Sequence, residues 1–105
     1  MNSDSIIDEF DRAQQRERKA KNLRLKLKLR ENAVKSVMAT KEGRETLSWV
    51  LNMTGQDESV TSNDALRMAT LSGRRDVGLE ILRYLNRVAP EQVLTMYKEQ
   101  NDGRE

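Results

Sequence analysis

Ten lysine and arginine side chains fall between residues 12 and 35, against two carboxylates, Glu17 and Glu31, a local balance of +8. Cations at that density can neutralise nucleic-acid phosphates, meet an acidic protein surface or lie on an anionic membrane. Residues 1–11 carry −4 and residues 36–105 carry −2, so the stretch is a basic arm on a slightly acidic body. The cations placed for polyanion or partner contact are Arg16, Arg18, Lys19, Lys21, Arg24, Lys26, Lys28 and Arg30. No aromatic ring between 12 and 35 could stack on a base. The Asn, Gln and Arg pattern of a defined recognition helix is also missing. The same stretch carries Leu23, Leu25, Leu27 and Leu29, which suit packing onto another chain. Nucleic acid and protein docking both stay open as the arm's chemistry, and the lack of Trp and Phe weakens the membrane-surface reading.

Two further stretches resemble anion sites. Lys41-Glu42-Gly43-Arg44 stands at a helix start, where backbone amides and two cations could hold an anion. The more ordinary reading is that Gly43 marks a tight turn or a close helix approach. Gly73-Arg74-Arg75-Asp76-Val77-Gly78 looks like a phosphate loop, but no strand precedes it and Gly78 falls inside an amphipathic helix. Gly78 is expected to admit a neighbouring helix, with Arg74 and Arg75 paired to acids or facing solvent. The chain has no Cys and no His, which excludes thiolate and imidazole catalysis, thiolate metal sites and disulfides. Carboxylates are scattered, and Asp57, Glu58 and Asp64 do not follow a calcium-loop pattern. The expectation is a protein without enzymatic activity, metal or cofactor.

These residues need elements to position them. One Pro, five Gly and many helix formers favour an all-α chain. Residues 4–21 read as a polar helix, capped by Ser3 or Asp4, with Ile6, Ile7 and Phe10 as an apolar patch that Ala13 and Ala20 continue weakly. Residues 22–30 alternate as a strand would, yet none is β-branched or aromatic, so one long helix from about residue 4 to residue 39 is favoured. On it Leu23 and Leu27 form one i,i+4 pair and Leu25 and Leu29 another, on a broad face continued by Val34, Val37 and Met38. The body should then hold four short helices. Thr40 caps the first, with Leu47, Val50 and Leu51 inward, Trp49 in the core and a stop at Asn52–Gly55. Ser62 caps the second, with Ala65, Leu66, Ala69 and Leu71 inward, and Ser72-Gly73 breaks or kinks it. The third, 74–88, turns Val77, Ile81, Leu82, Leu85 and Val88 inward. Pro90 starts the last, which presents Val93, Leu94, Met96 and Tyr97. The divisions are an arm over 1–32, a helical domain over 33–101 and a frayed tail over 102–105. There is no signal-peptide pattern and no run near the ~20 apolar residues of a membrane span.

Two stretches in order carry a resemblance. The first is Ala39-Thr40-Lys41-Glu42-Gly43-Arg44-Glu45-Thr46-Leu47 running into Trp49-Val50-Leu51 and Gly55. The second is Gly73-Arg74-Arg75-Asp76-Val77-Gly78-Leu79 with Ile81-Leu82, then Ala89-Pro90-Glu91 and Met96. Over about residues 33–99 the chain resembles a family of small all-helical phage proteins of the Bordetella-phage type, commonly encoded near virion structural genes. The resemblance implies a compact helical domain without established catalysis. In it Gly43, Arg44, Trp49, Gly73, Arg75, Gly78, Leu79, Pro90 and Met96 would be architectural. Lys41 stands where the family often carries Pro, and the arm lies outside the match.

The expected function is a virion-associated or assembly-associated protein of a tailed phage. It would dock on capsid, portal or internal proteins and on its own copies, in the virion or in host cytoplasm during assembly. A sequence-independent DNA-binding accessory protein is the alternative, and an adaptor or inhibitor of a host protein a third.

Overall fold

The computed structural model describes residues 3–103 and is all-α: α1 (Ser3–Met38), α2 (Lys41–Thr54), α3 (Ala65–Val88) and α4 (Pro90–Asp102). The chain divides into two compact units, Met1–Ala33 and Val34–Glu105. The first is helix throughout its described residues. No Gly or Pro interrupts α1, and Asp4 in its first turn and Lys35 in its last suit the helix dipole.

The second unit joins the last turn of α1 to α2, α3 and α4. Thr40 turns the chain: its backbone is extended, and its Oγ1 accepts the Gly43 N–H at 3.0 Å, which starts α2. Gly55 ends α2 in the left-handed region at φ 62°, donating its N–H to the Asn52 carbonyl. Pro90 occupies the first turn of α4, where its missing N–H is not needed. The core is Met38, Leu51, Leu85, Ala89, Val93 and Met96, with Val34, Leu47, Ile81 and Leu82 packed against it.

Several expectations are corrected. The two helices expected over 62–88 are one, because Ser72-Gly73 does not break α3. An interior glycine costs only about 1 kcal/mol relative to Ala, too little to stop a helix that Arg74 and Arg75 anchor just beyond it. The cap of α3 is Asp64, not Ser62. Asp64 Oδ1 accepts the Leu66 and Arg67 N–H groups, while the Ser62 hydroxyl accepts the N–H of Asp64. Trp49 is not in the core but 60% exposed. Leu47, Ser48 and Leu51 take the inward face of α2, and Trp49 lies two residues from Leu51, about 200° around the helix. Ala65, Leu66 and Ala69 also face outward, since the core meets α3 at its other end, around Ile81, Leu82 and Leu85. Val77 and Leu94 are exposed as well; the neighbour of α3 at that level meets Gly78 instead. The expected frayed tail includes Asp102, which ends α4, Gly103, and residues 104–105, which lie outside the described residues.

Gly73 is exposed, and a Cβ added there would meet nothing within 4 Å. Nothing in its surroundings requires glycine. Gly73→Ala should therefore stabilise the body by about 0.5–1 kcal/mol through the unfolded chain. Scanning calorimetry should show a midpoint a few degrees higher, and a fall instead would mean the helix needs the glycine.

Candidate functional site

All the arm's candidate contact residues, from Arg16 to Arg30, are solvent-exposed on α1. The helix does not gather them on one face. Successive leucines stand two residues apart, so Leu23 and Leu27 lie about 200° around the axis from Leu25 and Leu29. This corrects the single broad face: Leu23 and Leu27 line up with Val34 and Met38, and the other pair forms a separate strip. The cations divide likewise, with Arg24 and Lys28 on one side and Lys26 and Arg30 on the other. The arm can thus present positive charge in every direction, which suits a polyanion or an acidic surface but sets no register by itself.

The body holds a different kind of site. Arg44, expected as a possible anion ligand, is buried on α2 with each of its three side-chain nitrogens already hydrogen-bonded. Its Nε donates to Glu99 Oε1 at 3.0 Å and Oε2 at 3.2 Å, and its Nη2 to Oε1 at 2.7 Å. Its Nη1 donates to the Met38 carbonyl at 2.9 Å and to Gln92 Oε1 at 3.1 Å. One guanidinium thus closes the end of α1 and ties α2 to α4, with the bidentate geometry that only Arg supplies. The Arg44 hydrogen bond holds the Glu99 carboxyl below its usual range, and the same bond raises Arg44.

Arg74 and Arg75 pair with backbone rather than acids. Arg74 Nη2 donates to the Met53 carbonyl at 2.5 Å, and Arg75 Nε to the Gln56 carbonyl at 3.3 Å. Gly78 is buried where a Cβ would overlap the Thr54 side chain and come within 2.8 Å of Gln56 Cβ. This is the close approach expected of it. Gly43 is likewise pressed against the Val37 carbonyl. Leu79 is half-buried and Met96 fully buried. These groups hold the helices of the body together.

Residues 34–98 match the family model described as Bbp19-like phage protein. The chain belongs to that family. No curated protein and no solved structure matches it. The Bbp19-like match coincides with the body: it contains α2 and α3 entire and most of α4, and leaves out α1 before Val34. Gly43, Arg44, Trp49, Gly73, Arg75, Gly78, Leu79, Pro90 and Met96 all fall inside the Bbp19-like span, whereas every candidate contact residue of the arm falls outside it.

An open cleft of about 360 Å³ sits at the α3–α4 junction of this Bbp19-like body, lined by Lys35, Val88, Ala89, Pro90, Glu91 and Gln92. It offers one cation and one carboxylate. Among the described residues no cluster of His, Cys, Asp or Glu could hold a metal ion, and no helix is long and apolar enough to cross a membrane. Sequence reasoning missed Glu99 and Gln92 as the partners of Arg44. Their only signal is a spacing of seven, which puts them on one side of α4.

Proposed function

We propose that this chain is a non-enzymatic component of a tailed-phage particle or of its assembly, with the Arg44-clasped body as a rigid mount and α1 as the docking element. The supporting observation is the arm: Leu25 and Leu29 are 53% and 68% exposed on a helix ringed by cations. An apolar strip flanked by positive charge fits a helical or acidic surface of another virion protein, such as capsid, portal or an internal protein. The family is a phage family, which supports seeking such a partner among the proteins made in the same infection.

Mass spectrometry of gradient-purified, nuclease-treated particles is the test. A fixed copy number relative to portal or capsid protein is the expected result. Absence from mature particles and from assembly intermediates would overturn the proposal. Removal of residues 1–32 should empty the particle of the protein while the body still folds.

A second reading rests on the exposure of every arm cation. Duplex DNA would be bound without sequence preference, with affinity falling linearly on log–log salt axes. Electrophoretic mobility shifts at low and moderate salt decide it: no binding at low salt removes this reading.

A further inference from the structure

The apolar row of α1 has a symmetry that its composition hides. Ile6, Phe10, Ala13, Ala20, Leu23 and Leu27 wind slowly around one side of the helix. Farther along, the same row becomes Val34 and Met38, which the body's core covers. Before that point its large members are open to solvent: Ile6, Phe10, Leu23 and Leu27 are all 44% exposed or more. The intervals along the row are 4, 3, 7, 3 and 4 residues, the same from either end. A slow drift of this kind becomes a straight seam when two helices supercoil.

A palindromic row fits a second copy running the other way. With a twofold axis between Arg16 and Glu17, Ile6 lies level with Leu27 of the second copy. Phe10 lies level with its Leu23, and Ala13 with its Ala20. The alanines in the middle let the axes approach closely, and the larger side chains close each end.

Charge selects the same arrangement. Asp4, Asp8, Glu9 and Asp11 precede the row's midpoint, and Arg24, Lys26, Lys28 and Arg30 follow it. In the antiparallel register the four acids of one helix lie along the four bases of the other, at both ends at once. Glu17 comes beside Arg16 of the second copy. A parallel pair would set acid on acid and base on base, which is unfavourable. Arg12 and Lys21 do meet across the axis in the antiparallel pair, but at its solvated flanks, where screening is strong.

We infer that α1 pairs antiparallel with α1 of a second copy, through the row from Ile6 to Leu27. This goes beyond a role in a particle, since it concerns the purified chain and holds or fails whether or not virions contain it. The other strip, Leu25 and Leu29, stays free for a different partner.

The test uses the full chain, which has no cysteine of its own. Sedimentation equilibrium from about 10 μM to 1 mM should show a monomer–dimer equilibrium. Nitroxide labels on Ser5→Cys should lie about 35 Å apart in the dimer, the axial length of 23 helical residues. A parallel pair would bring them within about 20 Å. The double variant Asp8→Lys/Asp11→Lys should dimerise at least about tenfold more weakly, as should Arg24→Glu/Lys26→Glu. Mixing the two should restore pairing as a heterodimer, which a loss of folding could not do. A monomer across the whole range, a short label distance, or indifference to charge reversal would each overturn the inference. The first of these would leave the row to a different protein.

Discussion

Gly43→Ala is expected to melt roughly 10 °C or more below the native chain. The glycine sits in the first turn of α2, with its N–H on Thr40 Oγ1. A Cβ there would fall onto the Val37 carbonyl, 2.6 Å from its carbon, and 2.9 Å from Thr40 Oγ1. The main obstacle is backbone, so no side-chain rotation relieves it. The turn through Ala39 and Thr40 would have to open, drawing Met38 from a site where it has no exposure at all. Loss of the cap would follow, because the Thr40 hydroxyl could no longer reach the Gly43 N–H. Calorimetry checks this, and a midpoint within about 2 °C of the native chain would show that the turn yields cheaply.

Arg44→Met carries the second large effect, and its sign depends on pH. Removing the guanidinium leaves the Glu99 carboxylate, whose side chain is only 24% exposed, without its hydrogen-bonded cation and with only the weaker, through-space attraction of Lys41. The Met38 carbonyl and the Gln92 amide lose a donor at the same time. A fall in midpoint of about 10 °C is expected at neutral pH. Glu99 titrates lower in the folded chain than in the unfolded one, so the pair's contribution is complete above the ordinary carboxylate range. It disappears as pH falls through the depressed folded value. Arg44 is raised and stays charged throughout that window. The native chain should therefore lose stability in acid, and the gap to Arg44→Met should narrow there. Arg44→Met/Glu99→Met should recover part of the loss at neutral pH by removing the unpaired carboxylate. Thermal melts from pH 7 to pH 2.5 test all three statements, and a gap that stays constant with pH would show that the ion pair is not the cause.

The parts of this fold that were legible are those governed by neighbours in sequence. Thr40 and Gly55 bracket α2 because a hydroxyl can reach an amide three residues on and because only glycine enters the left-handed region without strain. Pro90 marks the start of α4 for an equally local reason. The misses arose where distant groups decide. Ser72-Gly73 reads as a break, yet α3 runs through it, because the bonds from Arg74 and Arg75 to the end of α2 and its loop hold the following turn. Ser62 has the side chain of a cap, but Asp64 stands closer to the first helical turn and takes the role. Trp49 looked like a core ring by size alone, but a face already filled by Leu47, Ser48 and Leu51 left it outside. Arg44 stands out both at a helix start and in the family resemblance, whereas Glu99 lies fifty-five residues away and nothing local links them. For the arm, alternation of Leu with Lys or Arg disguised the helical period. Only counting around the axis separates the two apolar strips.

The two largest side chains sealed from solvent are Met38 and Met96. In a chain without cysteine, thioethers are the only sulfur an oxidant can attack. Met53, on the surface, can be converted without disturbing anything beneath it. Met38 and Met96 are reached only when the helices part, and a sulfoxide then puts a polar dipole among apolar neighbours and hinders their return. Oxidation of these two methionines should therefore count how often the body opens, and the clasp at Arg44, by holding α2 to α4, lengthens the interval between openings.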